Sequence, residues 1–277
     1  MEKRVLKPAE VLDSVIEVSV GKAAGGFIKL LLLGILAGAF IAFAAEGSNM
    51  AAFNLLAKPE TFGLGKVLAG AVFGTGLMLV VLAGGELFTG NTLILAAVCE
   101  KKVNAAKMLR NWAVVYAGNL LGSVFIAYMI VQSGLFSSGG DLLGAVTLRI
   151  AVYKVNLSFP AAFYLGIMCN WLVCLAVWLS FAADTMAGKI FAIFFPIWLF
   201  ITSGFEHSVA NMYYIPAGIM IKNVPAFLKL SGLDPVALEA LSWAGFFFDN
   251  LIPVTLGNIV GGGLFVGMAY WYIYKKA

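Results

Sequence analysis

Ser203-Gly204-Phe205-Glu206-His207-Ser208-Val209-Ala210-Asn211 interrupts an apolar run from Ile190 to Ile221. That run is 32 residues long. As one helix it would span about 48 Å, against a hydrocarbon core of about 30 Å. Strong tilt would accommodate the length, but the middle is polar and rich in small residues. Glycine and small polar residues permit non-helical backbone. Such backbone survives at membrane depth only where protein or a wet cavity satisfies it. The stretch therefore predicts a transmembrane helix snapped in its middle, with the chain's single histidine at the snap.

A second run has the same construction. Val67 to Val98 is also 32 residues long, and Gly84-Gly85-Glu86-Leu87-Phe88-Thr89-Gly90-Asn91 breaks it. Glu86 and Asn91 are five apart, as are Glu206 and Asn211. Further along, Gly118-Asn119-Leu120-Leu121-Gly122 is echoed by Gly257-Asn258-Ile259-Val260-Gly261. The first echo lies at an offset of 120 residues and the second at 139, which an insertion around Lys222 to Asn250 accommodates. Short motifs also recur by chance. Read as a repeat, however, they make spans one to three a copy of spans four to six. Three is odd, so the second copy enters the bilayer upside down.

The remaining spans follow from hydropathy: Phe27 to Ala45, Trp112 to Gln132, Pro160 to Ala183 and Leu251 to Tyr274. The composition fits, with 62% hydrophobic and 12% charged residues among 277. Soluble domains are about half apolar and a quarter charged. A soluble enzyme and a nucleic-acid binder are excluded, since the net charge of +4 comes from basic residues in short flanks. The fold class expected is an all-α membrane protein with six transmembrane helices in an inverted repeat of three plus three, two of them broken. Residues 27–277 form this channel domain.

Residues 1–26 differ in kind. Val11, Leu12, Val15 and Ile16 share one helical face, with Glu10, Asp13, Ser14 and Glu17 opposite. Pro8 suits a helix start. An amphipathic cytoplasmic helix is expected, on the membrane surface or beneath the pore mouth; its acidic residues argue against a signal peptide. With both termini inside, eleven basic residues fall on the inner side, from Lys3 and Arg4 to Lys275 and Lys276. Six fall outside: Lys58, Lys66, Arg149, Lys154, Lys222 and Lys229. The excess favours cytoplasmic termini.

An ionisable group inside a membrane is expensive and is a functional hypothesis by default. His207 is such a group, able to attract an anion when charged or to hydrogen-bond it when neutral. The structural alternative is a histidine that ties down a freed carbonyl. Thr89 could present its hydroxyl opposite His207 or cap a half-helix. Glu86 and Glu206 suit acceptance of backbone N–H groups freed by the breaks, and Asn91 and Asn211 suit caps. Lys154, in an outer loop before span four, could draw in anions or be an ordinary headgroup lysine. Asn170, within span four, could face a pore or clamp a broken helix. Phe73, Leu77, Phe88 and Phe200 flank the breaks and suit apolar constrictions, against plain packing. Gly34, Gly38, Gly118, Gly122 and Gly261 to Gly263 suit close helix contact. Cys99, Cys169 and Cys174 read as packing residues, with no metal-ligand spacing. No nucleotide loop, acidic cluster, haem pair or catalytic triad is present, so no cofactor and no metal is expected. A membrane enzyme using Glu206 and His207 as an acid–base pair is the rival class, but no nucleophile supports it.

At Gly85-Glu86-Leu87-Phe88-Thr89-Gly90-Asn91 and Ser203-Gly204-Phe205-Glu206-His207-Ser208-Val209-Ala210-Asn211-Met212 the chain resembles the formate/nitrite transporter family over essentially its whole length. The resemblance implies an aquaporin-like fold and a homopentamer in the cell inner membrane. Each protomer would have a pore for a small weak-acid anion: formate most of all, with nitrite and hydrosulfide as alternatives. It makes His207 the central pore histidine, Thr89 its partner and Glu206 and Asn211 their surroundings. It makes Lys154 and Asn170 the vestibule lysine with its neighbouring asparagine, and Phe73, Leu77, Phe88 and Phe200 the constrictions. An aquaporin-like glycerol pore shares the architecture, but paired Asn-Pro-Ala motifs are absent.

Overall fold

The computed structural model describes residues 5–277; Lys3 and Arg4, counted above on the inner side, lie outside the described residues. Helices are the only regular elements among the described residues. Twelve are needed to place the site: α1 (Pro8–Ala24), α2 (Phe27–Leu56), α3 (Pro59–Gly84), α4 (Phe88–Cys99), α5 (Ala105–Gln132), α6 (Leu142–Val155), α7 (Phe159–Ala182), α8 (Met186–Ser203), α9 (Ser208–Ile221), α10 (Pro225–Ser231), α11 (Pro235–Glu239) and α12 (Gly245–Lys275). Six of these, α2, α3, α5, α7, α8 and α12, are long and apolar enough to cross a membrane. The outward faces of α2, α5 and α8 carry exposed Leu36, Phe43, Phe125, Tyr128, Phe195 and Leu199. Only an apolar solvent tolerates such a belt.

The halves are clamped by close helix crossings. A methyl group on Gly38 would run into the Asn119 carbonyl, and one on Gly122 into that of Ile35, so α2 and α5 touch backbone to backbone. In the other half Gly257 and Gly261 of α12 meet the Phe163 and Ile167 carbonyls of α7 in the same way. Without a hydrophobic force between helices in lipid, this close approach is what small residues contribute.

Both broken runs are broken where expected. α3 ends at Gly84, whose φ of +97° lies where side chains rarely go, and Gly85 and Leu87 are extended before α4 begins. α8 ends at Gly204 with φ +77°, and His207 is extended before α9. In α12, wider π-helical turns span Gly245–Leu251 and Ile259–Met268, the first followed by Pro253, which has no N–H to return to the preceding turn.

Two boundaries differ from the hydropathy reading. α2 runs to Leu56 rather than Ala45, because Glu46, Ser48 and Asn49 are buried in protein and not left in lipid. The Tyr213 hydroxyl donates to the Glu46 carboxylate, Ser48 donates to the Ala69 carbonyl, and Asn49 reaches Thr147. Lys154 sits in the last turn of α6, not in a loop. In α1, Pro8 is the first helical residue, and Val11, Leu12, Val15 and Ile16 are buried against neighbouring helices, so the helix packs onto the bundle.

Candidate functional site: a buried imidazole between two broken helices

Each break is closed by one asparagine from a long helix. Asn119 of α5 accepts the Phe88 N–H through Oδ1 (2.9 Å) and donates to the Gly34 and Glu86 carbonyls (2.8 and 2.9 Å). Asn258 of α12 accepts the Ser208 N–H (2.9 Å) and donates to the Gly166 and Glu206 carbonyls (2.8 and 3.0 Å). The extended strands also pair with helix carbonyls, Glu86 N–H with Leu33 and Glu206 N–H with Leu165. These freed backbone groups are thereby satisfied, as burial requires.

The two glutamates depart from expectation. Neither carboxylate takes backbone N–H groups. Glu86 Oε2 receives Lys22 Nζ (3.0 Å) and Asn91 Nδ2 (2.7 Å), while Asn91 also donates to Asn111. Glu206 receives Lys154 Nζ (2.7 Å) and Asn211 Nδ2 (2.7 Å), while Asn211 also donates to Asn250. Asn111 and Asn250 close each network by donating to the carbonyls of Lys22 and Lys154. The asparagines are therefore bridges, not caps: an ammonium and an amide satisfy a buried carboxylate better than one more N–H. Lys22, Asn111 and Asn250 were missed in the sequence. The offset could have found them, since Asn111 and Asn250 are 139 apart like Asn119 and Asn258.

These networks are buried unequally. The Glu206 side chain is 2% exposed and its lysine 11%; for Glu86 and Lys22 the values are 12% and 28%. Stranding one member of a buried pair costs about 3–5 kcal/mol. Lys154→Met is therefore expected to lower thermal stability sharply, and adding Glu206→Gln to restore much of it. Melting curves of both variants check this coupling; a mild Lys154→Met effect would refute it.

Between the breaks stands His207, 3% exposed. Its Nδ1 accepts the Ala210 N–H at 3.0 Å, so the ring caps α9. An Nδ1 that accepts carries no proton, so the neutral ring's hydrogen lies on Nε2. Nε2 is 3.0 Å from Thr89 Oγ1 on α4, and donates to it. The hydroxyl hydrogen of Thr89 is then unspent among the described residues. Charging the ring would set a second N–H against that of Ala210 and break the cap.

Apolar side chains enclose this contact. Phe200 lies over the imidazole at 5.9 Å and meets Phe73 edge-on at 5.7 Å, both nearly fully buried. Leu77, one turn further along α3, lines a cavity with Leu87, Glu86, Asn91, Lys22 and Lys189. Phe88 is not part of this group. Its ring turns to α5, edge-on to Tyr116 (4.8 Å) and Trp112 (6.0 Å), and Leu87 takes the cavity wall.

Asn170 clamps rather than faces a passage. It is fully buried, and its Nδ2 lies within reach of the Thr89 and Asn258 carbonyls and Thr92 Oγ1. No hydrogen bond joins it to Lys154, whose ammonium sits instead over the Tyr214 ring at 5.3 Å. The structure thus brings together Thr89, His207, Phe200 and Phe73 at the centre, with Lys154, Glu206 and Asn211 beside them. The cysteines are unpaired, with Cys169 and Cys174 buried, and no cluster of metal-ligating residues occurs among the described residues.

Six apolar spans, two of them broken at one centre and joined there by an imidazole and a hydroxyl, define a multi-pass membrane transport protein rather than an enzyme. The chain belongs to the formate/nitrite transporter family, whose sequence profile matches residues 9–272. It is 42% identical to a probable formate transporter of Methanothermobacter thermautotrophicus, over 90% of this chain and 89% of that protein. It is 39% identical to the formate channel FocA of Escherichia coli (strain K12), over 98% and 95% of the two chains. A solved pentameric formate channel with formate bound superimposes with a TM-score of 0.79 at 40% identity, covering 90% of this chain and 98% of that one.

Proposed function

We propose that this protein is a passive or proton-coupled channel for small monovalent weak-acid anions, with formate as its main cargo. The observation that carries the reading is the Thr89–His207 contact, roofed by Phe200 and Phe73. The naming of its relatives as formate channels supports the choice of cargo. His207, Thr89, Lys154, Glu206 and Asn211 are assigned to the pathway, and Asn170 to holding its Thr89 loop. Phe73, Leu77 and Phe200 are its constrictions, and Phe88 supports the loop from behind. The hydrogen-bond networks around Asn119 and Asn258 support a three-plus-three inverted repeat.

A bare carboxylate entering the Phe73–Phe200 zone loses its water, and burial without pairing costs several kcal/mol. The same desolvation favours its neutral acid. His207 fixes Thr89 as an acceptor, so the Thr89 hydroxyl donates to a cargo oxygen. The neutral ring keeps its Nε2 proton and its cap on α9; the proton on the cargo comes from vestibule water. Asn170 holds the Thr89 loop, and the glutamate networks hold both breaks open. We infer the chain lies in the inner (plasma) membrane as a homopentamer, with both termini and α1 on the cytoplasmic side, where Lys101, Lys102, Lys107 and Arg110 gather.

Flux into liposomes holding the purified protein tests this. Formate, nitrite and hydrosulfide are expected to pass, faster as pH falls because more of each is protonated, while glycerol stays out. Anion flux no greater than through protein-free liposomes, or equal passage of glycerol, would overturn the reading.

A further inference from the structure

One buried acid stands apart from both breaks. Glu46 lies within the spanning helix α2 and is 5% exposed. An ionisable group at membrane depth is costly and marks a function by default. The glutamates of the breaks, Glu86 and Glu206, are each met by a lysine and an amide. Glu46 has no ion-pair partner among the described residues. Its Oε2 accepts the Tyr213 hydroxyl of α9, and its Oε1 is buried without a hydrogen-bond partner among the described residues. An ionised carboxylate offers about four acceptor sites. Here it would be an unpaired charge with one donor, far more costly to bury than the neutral acid.

Packing does not require an acid at this place. The Gly34 carbonyl of α2 and the Gly166 carbonyl of α7 each accept from the asparagine that closes a break, so the two helices hold matching places. Twelve residues beyond each glycine stand Glu46 and Trp178. Trp178 is buried and stacked on Tyr270, so an apolar ring fills in one half what a carboxyl fills in the other. What Glu46 adds is a tie. Tyr213 is six residues, about 9 Å of helix, beyond His207 on α9. Asn49, on the same face of α2 as Glu46, reaches Thr147 of α6, the helix that carries Lys154. The titratable groups facing Glu46 are Tyr213 and Tyr214 of α9, whose rings meet at 5.7 Å. Charged groups on the other helices packed against α2 are engaged elsewhere. On α6, Lys154 holds Glu206, and Arg149 holds the Ala57, Leu230 and Ser231 carbonyls. The charges acting on Lys66 of α3 are Lys154 and Glu206. On α5, Arg110 donates to the Gly25 carbonyl and Tyr116 pairs with Thr255.

We propose that Glu46 and Tyr213 form a proton-binding site outside the anion passage, and that its occupancy holds α9 in the position that transports. The inference rests on the channel reading above. With the proton bound, Glu46 is a neutral acid and its bond to Tyr213 ties α9 to α2. Without it, an unpaired carboxylate is left between helices. Either water reaches that charge or the side chain turns away, and both disturb the helix that His207 caps. The folded protein thus holds a proton that a carboxyl in water gives up, so the tied state is favoured at low pH and lost as pH rises. This loss comes on top of the decline in protonated cargo.

The experiment compares purified wild-type protein with Glu46→Gln, whose amide mimics the protonated acid at every pH. Formate flux into liposomes is measured for both from mildly acidic to alkaline pH. Both proteins meet the same cargo, so its protonation cancels in the ratio of the two fluxes. The ratio of Glu46→Gln to wild type is expected near one at acidic pH. It rises roughly two- to tenfold as pH passes from the midpoint of the site to one unit above it. In parallel, infrared difference spectra between acidic and alkaline pH, taken in lipid without cargo, read the proton itself. Wild type is expected to show a protonated-carboxyl carbonyl band that disappears as pH rises, and Glu46→Gln to lack it. A wild-type spectrum without that band overturns the proton site, and a flux ratio that stays level with pH overturns its hold on α9. A band in wild-type protein that carries no formate keeps the proton site and removes the channel reading instead.

Discussion

His207→Asn slows formate flux by roughly 2- to 12-fold at every pH and leaves its rise with falling pH in place. Asparagine is a good N-cap, so the Ala210 N–H keeps an acceptor and α9 still starts where it does. What is lost is the Nε2–H that reaches Thr89 across the gap between the two broken helices. Without it, Thr89 is free to turn its hydroxyl away from the passage. A hydrogen bond between neutral groups contributes about 0.5–1.5 kcal/mol, and that loss in the crossing state gives the stated range. Flux of isotope-labelled formate into liposomes between mildly acidic and mildly alkaline pH measures it. Unaltered flux throughout that range would remove the imidazole from the mechanism, whatever its packing.

The largest effect on stability is expected at Asn258, which closes the break on both sides of His207. Asn258→Leu preserves shape but strands the Ser208 N–H and the Glu206 carbonyl, both now bonded to this one side chain, while the Gly166 carbonyl inside α7 loses only its second partner. Each buried polar group left without a partner costs about 1–3 kcal/mol. Two together, about 2–6 kcal/mol, remove a large part of the whole stability of many domains, about 5–15 kcal/mol. The variant is expected to accumulate poorly, or to melt at least about 10 °C lower and lose transport. Asn119→Leu should do the same through the Phe88 N–H and the Glu86 carbonyl. A fluorescence-detected thermal melt of the detergent-solubilised variants decides it; an Asn258→Leu protein as stable as wild type would show that water, not this amide, satisfies the break.

Several features were legible residue by residue. Gly84 and Gly204 announced the snaps because positive φ is a property of the glycine itself. The amphipathic face of α1 was legible because Val11, Leu12, Val15 and Ile16 recur at helical spacing. The Thr89–His207 meeting was suggested by the matching interruptions, although 118 residues separate the two side chains. Other features were not. The lysine partners of Glu86 and Glu206 lie 64 and 52 residues away on α1 and α6, so local reasoning gave the carboxylates to the nearest free N–H groups instead. The direction of Phe88 was not legible because it stands in the first turn of α4, and what that turn packs against is set by the remote Tyr116 and Trp112 of α5.

By itself, then, the sequence determined that this chain lives in lipid, where it crosses, and which two crossings are broken. Those properties follow from hydropathy, from helix length against bilayer thickness and from the backbone freedom of glycine, all of them local. Only the tertiary structure decided which nitrogen of His207 carries the proton and which lysines are spent on carboxylates. Those properties depend on groups within hydrogen-bonding distance, and such groups come from helices remote in the chain.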